Sequence, residues 1–176
     1  MTERSQAARD EELVLAVANT AHVVSDELTD GESLASWASG LSLQTSGAID
    51  AGDPAPLRAL RAEIRRRALA HNGVHVDVGT PPARMTVSLD LGDTPGLAPM
   101  RRATLADQLA VATVSALLRL SGRDDWERLK ACHNLDCQWV FVDRSRNGSR
   151  RWCDMNECGN RAKGAAFRAR RRTAHS

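Results

Sequence analysis

The four cysteines of this 176-residue chain stand as Cys132-x4-Cys137-x15-Cys153-x4-Cys158. Two pairs of equal spacing around a loop suit a four-coordinate structural zinc site: each pair supplies one edge of a tetrahedron, and the loop folds back to join them. The N-terminus, beginning Met1-Thr2-Glu3-Arg4, lacks the basic start and apolar core of a secretory signal. The most apolar stretch, Leu105 to Leu120, is interrupted by Asp107, Gln108 and Arg119, so no membrane span is expected. A soluble, cytoplasmic protein follows, in which paired cysteines act as metal ligands before they act as disulfides. Four thiolates on one Zn²⁺ leave no open position for water or substrate, so no enzyme is expected.

Charge divides at the same place. Residues 129–176 carry 11 basic side chains against four acidic ones, a net +7, while residues 1–128 carry 13 against 18, a net −5. The overall +2 is thus the sum of an acidic body and an anion-seeking tail.

In the body, Leu13, Val17, Val24 and Leu28 recur at helical steps and predict one amphipathic helix from Asp10 to Leu28. A second, shorter helix carries Leu34, Trp37 and Leu41. A third follows Asp53-Pro54 with Leu57, Leu60, Ile64 and Ala68 on one face, and a long fourth runs from Leu105 to Gly122. Arg58, Arg61, Arg65, Arg66 and Arg67 of the third helix are expected to form a solvated face, with an anion site as the alternative. Alternation at Val74, Val76 and Val78 and at Met85, Val87, Leu89 and Leu91 predicts an antiparallel pair of strands across Gly79–Pro82, with His71 and His75 as surface residues. A short helix from Asp124 to Ala131 leads into the first cysteine. The body holds no glycine-rich phosphate loop, G-x-S-x-G elbow or paired-histidine motif.

Between the cysteine pairs, Gln138–Val142 is β-prone, Asn147-Gly148 signals a turn, and Arg150-Arg151-Trp152 returns, which predicts a hairpin. Gly159 is expected to relax the backbone beside the metal, and a helix begins after it. The predicted fold is therefore α+β: a mainly helical N-terminal domain with a small antiparallel hairpin over 1–128, then a treble-clef-like zinc finger over 129–176.

The run Cys153-Asp-Met-Asn-Glu-Cys158-Gly159-Asn160-Arg161-Ala162-Lys163, preceded by Phe141-Val-Asp143-Arg-Ser145-Arg146-Asn147, resembles the CGNR zinc finger over about residues 129–172. Over residues 10–128 a looser likeness, resting on Ala18-Asn19-Thr20, Leu60-Arg61 and the order of elements, points to the ABATE domain that precedes this finger in bacterial proteins regarded as stress-responsive transcription regulators. The resemblance implies zinc on Cys132, Cys137, Cys153 and Cys158, and a DNA-binding role that the residues must support independently.

Arg161, Arg168 and Arg172 share one face of the last helix, beside a stripe of Ala162, Ala166 and Ala169 suited to close packing. Lys163 and Arg171 add charge, and Arg144, Arg146, Arg150 and Arg151 flank the hairpin turn. These residues, with Asn160, are the candidate DNA contacts. Arg150 and Arg151 could instead brace the site, Asn160 could tie down backbone, and Trp139, Phe141 and Trp152 are expected to pack around the metal rather than stack on bases. His133 and His175 are alternative ligands made unnecessary by the cysteines. The leading expectation is a regulator whose body senses a small-molecule effector or mediates association, with a homodimer allowed. The alternatives are a protein- or RNA-interaction module and a thiol-based redox sensor.

Overall fold

A computed structural model of the chain describes residues 3–22, 24–41, 50–74 and 84–173. Helix α1, Glu3–Ala18, is followed by two short antiparallel strands, β1 Ala21–His22 and β2 Ser25–Asp26. The single helix predicted to Leu28 therefore ends ten residues early. The helix end is held from outside: Arg65 donates to Ala18 O at 2.9 Å and to Ala21 O, and the Thr20 hydroxyl turns back to Val17 O at 2.9 Å. Arg61 then grips the Asp26 carboxylate through two hydrogen bonds, at 2.6 and 2.8 Å. Helical periodicity places Val24 inside, yet it is 97% exposed, whereas Leu28 reaches the core by way of the hairpin.

Helix α2, Gly31–Ser39, starts where Asp30 accepts from Ser33 N at 2.8 Å. Helix α3, Ala55–His71, buries Leu57, Leu60, Ile64 and Ala68 as its period requires. Its arginines form a solvated face only in part. Arg58 pairs with Asp53, Arg66 and Arg67 pair with Glu63, and Arg61 and Arg65 lock the β1–β2 hairpin.

Strand β3, Ser88–Asp90, falls within the predicted Met85–Leu91 strand but pairs antiparallel with β4, Gly96–Ala98. Of the other predicted strand, His75–Val78 lies outside the described residues. Helix α4, Leu105–Ser121, opens with a reciprocal capping box between Thr104 and Asp107. Gly52 packs against it at φ +73°, where a Cβ would stand 2.4 Å from Thr104 Oγ1, so no other residue fits there.

Val14, Val17, Leu28, Leu34, Leu57, Ile64 and Leu109 form the buried centre, and Arg119 reaches across from α4 to the buried Asp10 of α1 with bonds of 2.7 and 2.8 Å. The same core continues into the cysteine-bearing part. Strand β5, Leu129–Ala131, pairs with β6, Val140–Val142, and buries Leu129, Ala131 and Val140 against the helices. The expected helix from Asp124 to Ala131 thus becomes a single 3-10 turn, Trp126–Arg128, and then a strand.

Side-chain amides complete this junction. Asn19 donates to Val140 O at 2.9 Å and accepts from Val140 N at 2.8 Å, so one amide takes the place of a neighbouring strand. Asn72 donates to Ala131 O and Arg151 O at 2.7 and 2.9 Å. His71, expected at the surface, instead bonds Leu129 O through Nδ1 at 2.8 Å and stands edge-on to Trp126. No described helix is long and apolar enough to cross a membrane.

Removing one partner of a buried hydrogen bond costs about 1–3 kcal/mol. Asn19→Ala is expected to lower stability by that amount in urea unfolding, with the helical body and the cysteine-bearing part melting together. A loss confined to the C-terminal part would show that the two do not form one cooperative unit.

Candidate metal centre

Strands β5 and β6 hold the first cysteine pair between them. Cys132 directly follows β5, and its N–H bonds Trp139 O at 2.8 Å, which extends the ladder. The intervening residues close a tight knuckle: Asn134 O accepts from Cys137 N at 2.9 Å, and the Asn134 side chain accepts from Asp136 N at 3.2 Å. The sequence pattern pairs Gln138–Val142 with Arg150–Trp152. The pairing found is with Leu129–Ala131 instead, because the hydrogen-bonding edge of β6 is already occupied by the strand entering the knuckle. The Asn147-Gly148 turn does form, with Gly148 at φ +59°.

The second pair sits at a helix start. Asp154 caps it by accepting from Asn156 N at 2.6 Å and Glu157 N at 3.1 Å. Met155–Gly159 form a wide, π-type turn that runs directly into helix α5, Asn160–Thr173. The wide turn carries Cys158 inward to a buried position. Gly159 takes no unusual backbone angle; it lets the Met155 side chain lie close, since a Cβ there would stand 2.8 Å from Met155 Sδ.

Together these elements place all four sulfurs within 4.8 Å of one another, with Cys137 Sγ 3.6 Å and Cys158 Sγ 3.8 Å from Cys153 Sγ. A tetrahedron with metal–sulfur bonds of about 2.3 Å has sulfur–sulfur edges of about 3.8 Å. A disulfide would need about 2.05 Å. The four cysteines are therefore positioned to bind one metal ion.

Their electrostatics agree with that role. Burial pushes the Cys137 thiol up to about 11, and burial with the neighbouring Cys137 and Cys132 pushes Cys153 up as well. Burial also opposes the Cys132 thiolate, yet hydrogen bonds from the backbone of Cys153 and Asn134 bring that thiol below its ordinary value. Such a cluster cannot ionise fully without a cation, and a cation at its centre removes both the desolvation and the mutual repulsion.

The fifteen-residue loop between the pairs is organised by a buried ion pair. Lys130 Nζ lies 2.9 Å from Asp143 Oδ2, and Asp143, fully buried, also accepts from Ser145 N, Ser145 Oγ and Arg150 N. Burial works against ionisation, but these donors, led by the Ser145 hydroxyl and Lys130, hold the carboxyl well below the usual range.

The candidate DNA contacts divide. Arg144 is tied to Glu11 of α1 at 2.7 Å. Arg150 donates to Trp152 O and Cys153 O and lies 4.8 Å over the Phe141 ring, while Arg151 meets His133 Nε2 at 2.6 Å. These three brace the site. Asn160 ties backbone by donating to Asn156 O at 3.1 Å. Arg146, Arg161, Lys163, Arg168 and Arg171 are exposed, Arg171 lying 5.9 Å over Phe167. The Arg172 and Ala169 side chains and His175 fall outside the described residues. The alanine stripe is not a packing face: Ala166 is exposed, and α5 packs chiefly on the turn before it. Phe141 is buried, and Trp152 and Trp139 stand edge-on to His133 and His22.

Sequence reasoning missed His22, which the β1–β2 hairpin places with Nε2 3.7 Å from Cys137 Sγ. Nothing in its spacing connects it to a cysteine 115 residues away.

Because Cys137 and Cys153 are protonated at neutral pH, metal binding must displace at least two protons. The apparent Zn²⁺ association constant is expected to rise by about two or more log units per pH unit between about pH 6.5 and 8, read by competition with a chromophoric chelator. A pH-independent constant would show that the thiols are already ionised. For Asp143 the folded chain binds the proton more weakly than the unfolded chain does. Its stabilising contribution is thus fully present above about pH 5 and drains away as the pH falls below about 4. Asp143→Asn is expected to flatten that acid limb and, by leaving Lys130 buried without a counter-charge, to cost about 3–5 kcal/mol in urea unfolding at neutral pH.

The CGNR zinc finger family model matches residues 128–171, which contain the whole cysteine cluster and most of α5. A comparison with curated proteins finds no match for the chain. The C-terminal quarter is accordingly similar to a CGNR zinc finger, with its four cysteines placed for a metal ion.

Proposed function

We propose that the chain is a zinc-dependent, DNA-binding transcriptional regulator. Zn²⁺ on Cys132, Cys137, Cys153 and Cys158 fixes the start of α5, and α5 meets the duplex. The observation that carries this reading is the helix itself. It holds six basic residues and no acidic one, and it emerges directly from the cysteine cluster.

Thiolate is the ligand that selects zinc over the oxygen-preferring divalent ions, and a closed set of four supports a structural role. Arg146, Arg161, Lys163 and Arg168 are exposed, and long cationic side chains in such positions reach phosphates. The acidic body does not approach DNA. It serves as the sensing part, as the likeness to the ABATE domain suggests, and passes its state to the finger through the shared core and the Asn19 and Asn72 bonds. A second reading, a single-stranded RNA or protein contact, is favoured by Phe167, which is 54% exposed on the same helix and offers a stacking surface.

Each phosphate neutralised contributes roughly −0.9 to the slope of log affinity against log salt, or about −3.6 for four contacts. Fluorescence anisotropy of zinc-loaded protein on duplex DNA is expected to show that slope, and Arg161→Ala with Lys163→Ala to reduce it by about two contacts. Salt-insensitive binding, or tighter binding to single-stranded RNA than to duplex, would replace the first reading with the second.

A further inference from the structure

We propose that the body binds an amphipathic organic carboxylate, of the fatty-acid type, in the groove between α3, α4 and the segments that flank the β3–β4 hairpin. This rests on the reading of the body as a sensing part and names the class of ligand that it takes. The groove encloses about 1110 Å³, ample for a small organic molecule. Its floor is apolar, built from Leu60 and Ala59 of α3, Val111 and Val114 of α4, and Met85 and Val87 ahead of β3.

Arg84, Arg101 and Arg102 also line the groove, and all three are exposed. Among the described residues, the only acidic one lining it is Asp107, whose carboxylate is spent on the Thr104 N–H and hydroxyl at 3.0 and 2.8 Å. The contrast with α3 is what gives the arginines meaning. There every guanidinium has an acidic or carbonyl partner, whereas no ion pair among the described residues involves Arg84, Arg101 or Arg102. In a body of net charge −5, three cations with no acidic partner among the described residues, set around an apolar hollow, select an anionic head group on an apolar chain. Arg102 additionally holds φ +65°, a costly conformation for a residue with a side chain, next to Arg101 on the same short turn. Adjacent guanidiniums there can take a carboxylate from two sides.

The test is isothermal titration of the zinc-loaded full chain with dodecanoate and with dodecyltrimethylammonium, each below its micellar concentration. The expected result is saturable one-to-one binding of dodecanoate, about tenfold or more tighter than the cation of the same chain length. The double variant Arg101→Ala, Arg102→Ala is expected to lose that preference while keeping its zinc content and helical circular dichroism. Equal affinity for the two head groups, absence of saturable binding, or an unchanged double variant would overturn the proposal. The readout uses no DNA, so its failure leaves the DNA-binding reading untouched, and failure of DNA binding leaves this result standing.

Discussion

Four sulfur atoms held within 4.8 Å of one another form the constraint on which the C-terminal quarter of the molecule depends. Gathered without a cation, they oppose one another: burial and mutual repulsion suppress ionisation at Cys137 and Cys153, while the backbone amides around Cys132 favour it. A divalent ion bound there would resolve that conflict. It would fix the knuckle that joins β5 to β6 and the wide turn in which Gly159 passes against Met155. It would also anchor the first residues of α5, at the positive end of the helix dipole. A segment this short has too little apolar material to hold such an arrangement by burial alone.

The body contributes the other half of the support. A finger tethered by a linker would be free to reorient, but here Leu129, Ala131 and Val140 are core residues of the helical body. The amides of Asn19 and Asn72 close the open edges of the two strands, and His22 reaches Cys137 from the β1–β2 hairpin. That hairpin is in turn clamped by Arg61 and Arg65 of α3. A change in the packing of α3 therefore reaches the metal ligands through two residues of side chain, Arg65 to the hairpin and His22 to the sulfur.

What the sequence made legible follows from how local each signal is. The cysteine spacing and the faces of α3 and α4 are set within one or two turns, so periodicity and pair spacing identify them. Helix α1 ends at Ala18 because of arginines more than forty residues away, and no window around Val24 contains that information. The same reason hides the partner of β6. Arg150–Trp152 has the right turn before it, but Asn72 and His133 take up the backbone of Arg151, and the strand before the knuckle takes the place in the ladder. The charge count held as a total and changed in meaning, since Lys130, Arg144, Arg150 and Arg151 are committed to the protein itself.

That commitment concentrates what is left. Six of the seven remaining basic residues of the tail lie on α5, along a helix of fourteen residues with Gly164 in its interior and an exposed Ala166 where a packing stripe could have been. Isolated helices of that length are marginal in water, and like charges three and four residues apart, as at Arg168, Arg171 and Arg172, weaken them further. Helix α5 itself packs chiefly on the turn before it. With a metal on the four cysteines, the turn before α5 would supply the costly first step of the helix, and on the proposed DNA-binding reading a row of phosphates along its length would relieve the repulsion that opposes the rest. A helix built that way would couple part of its own folding to the binding of a polyanion.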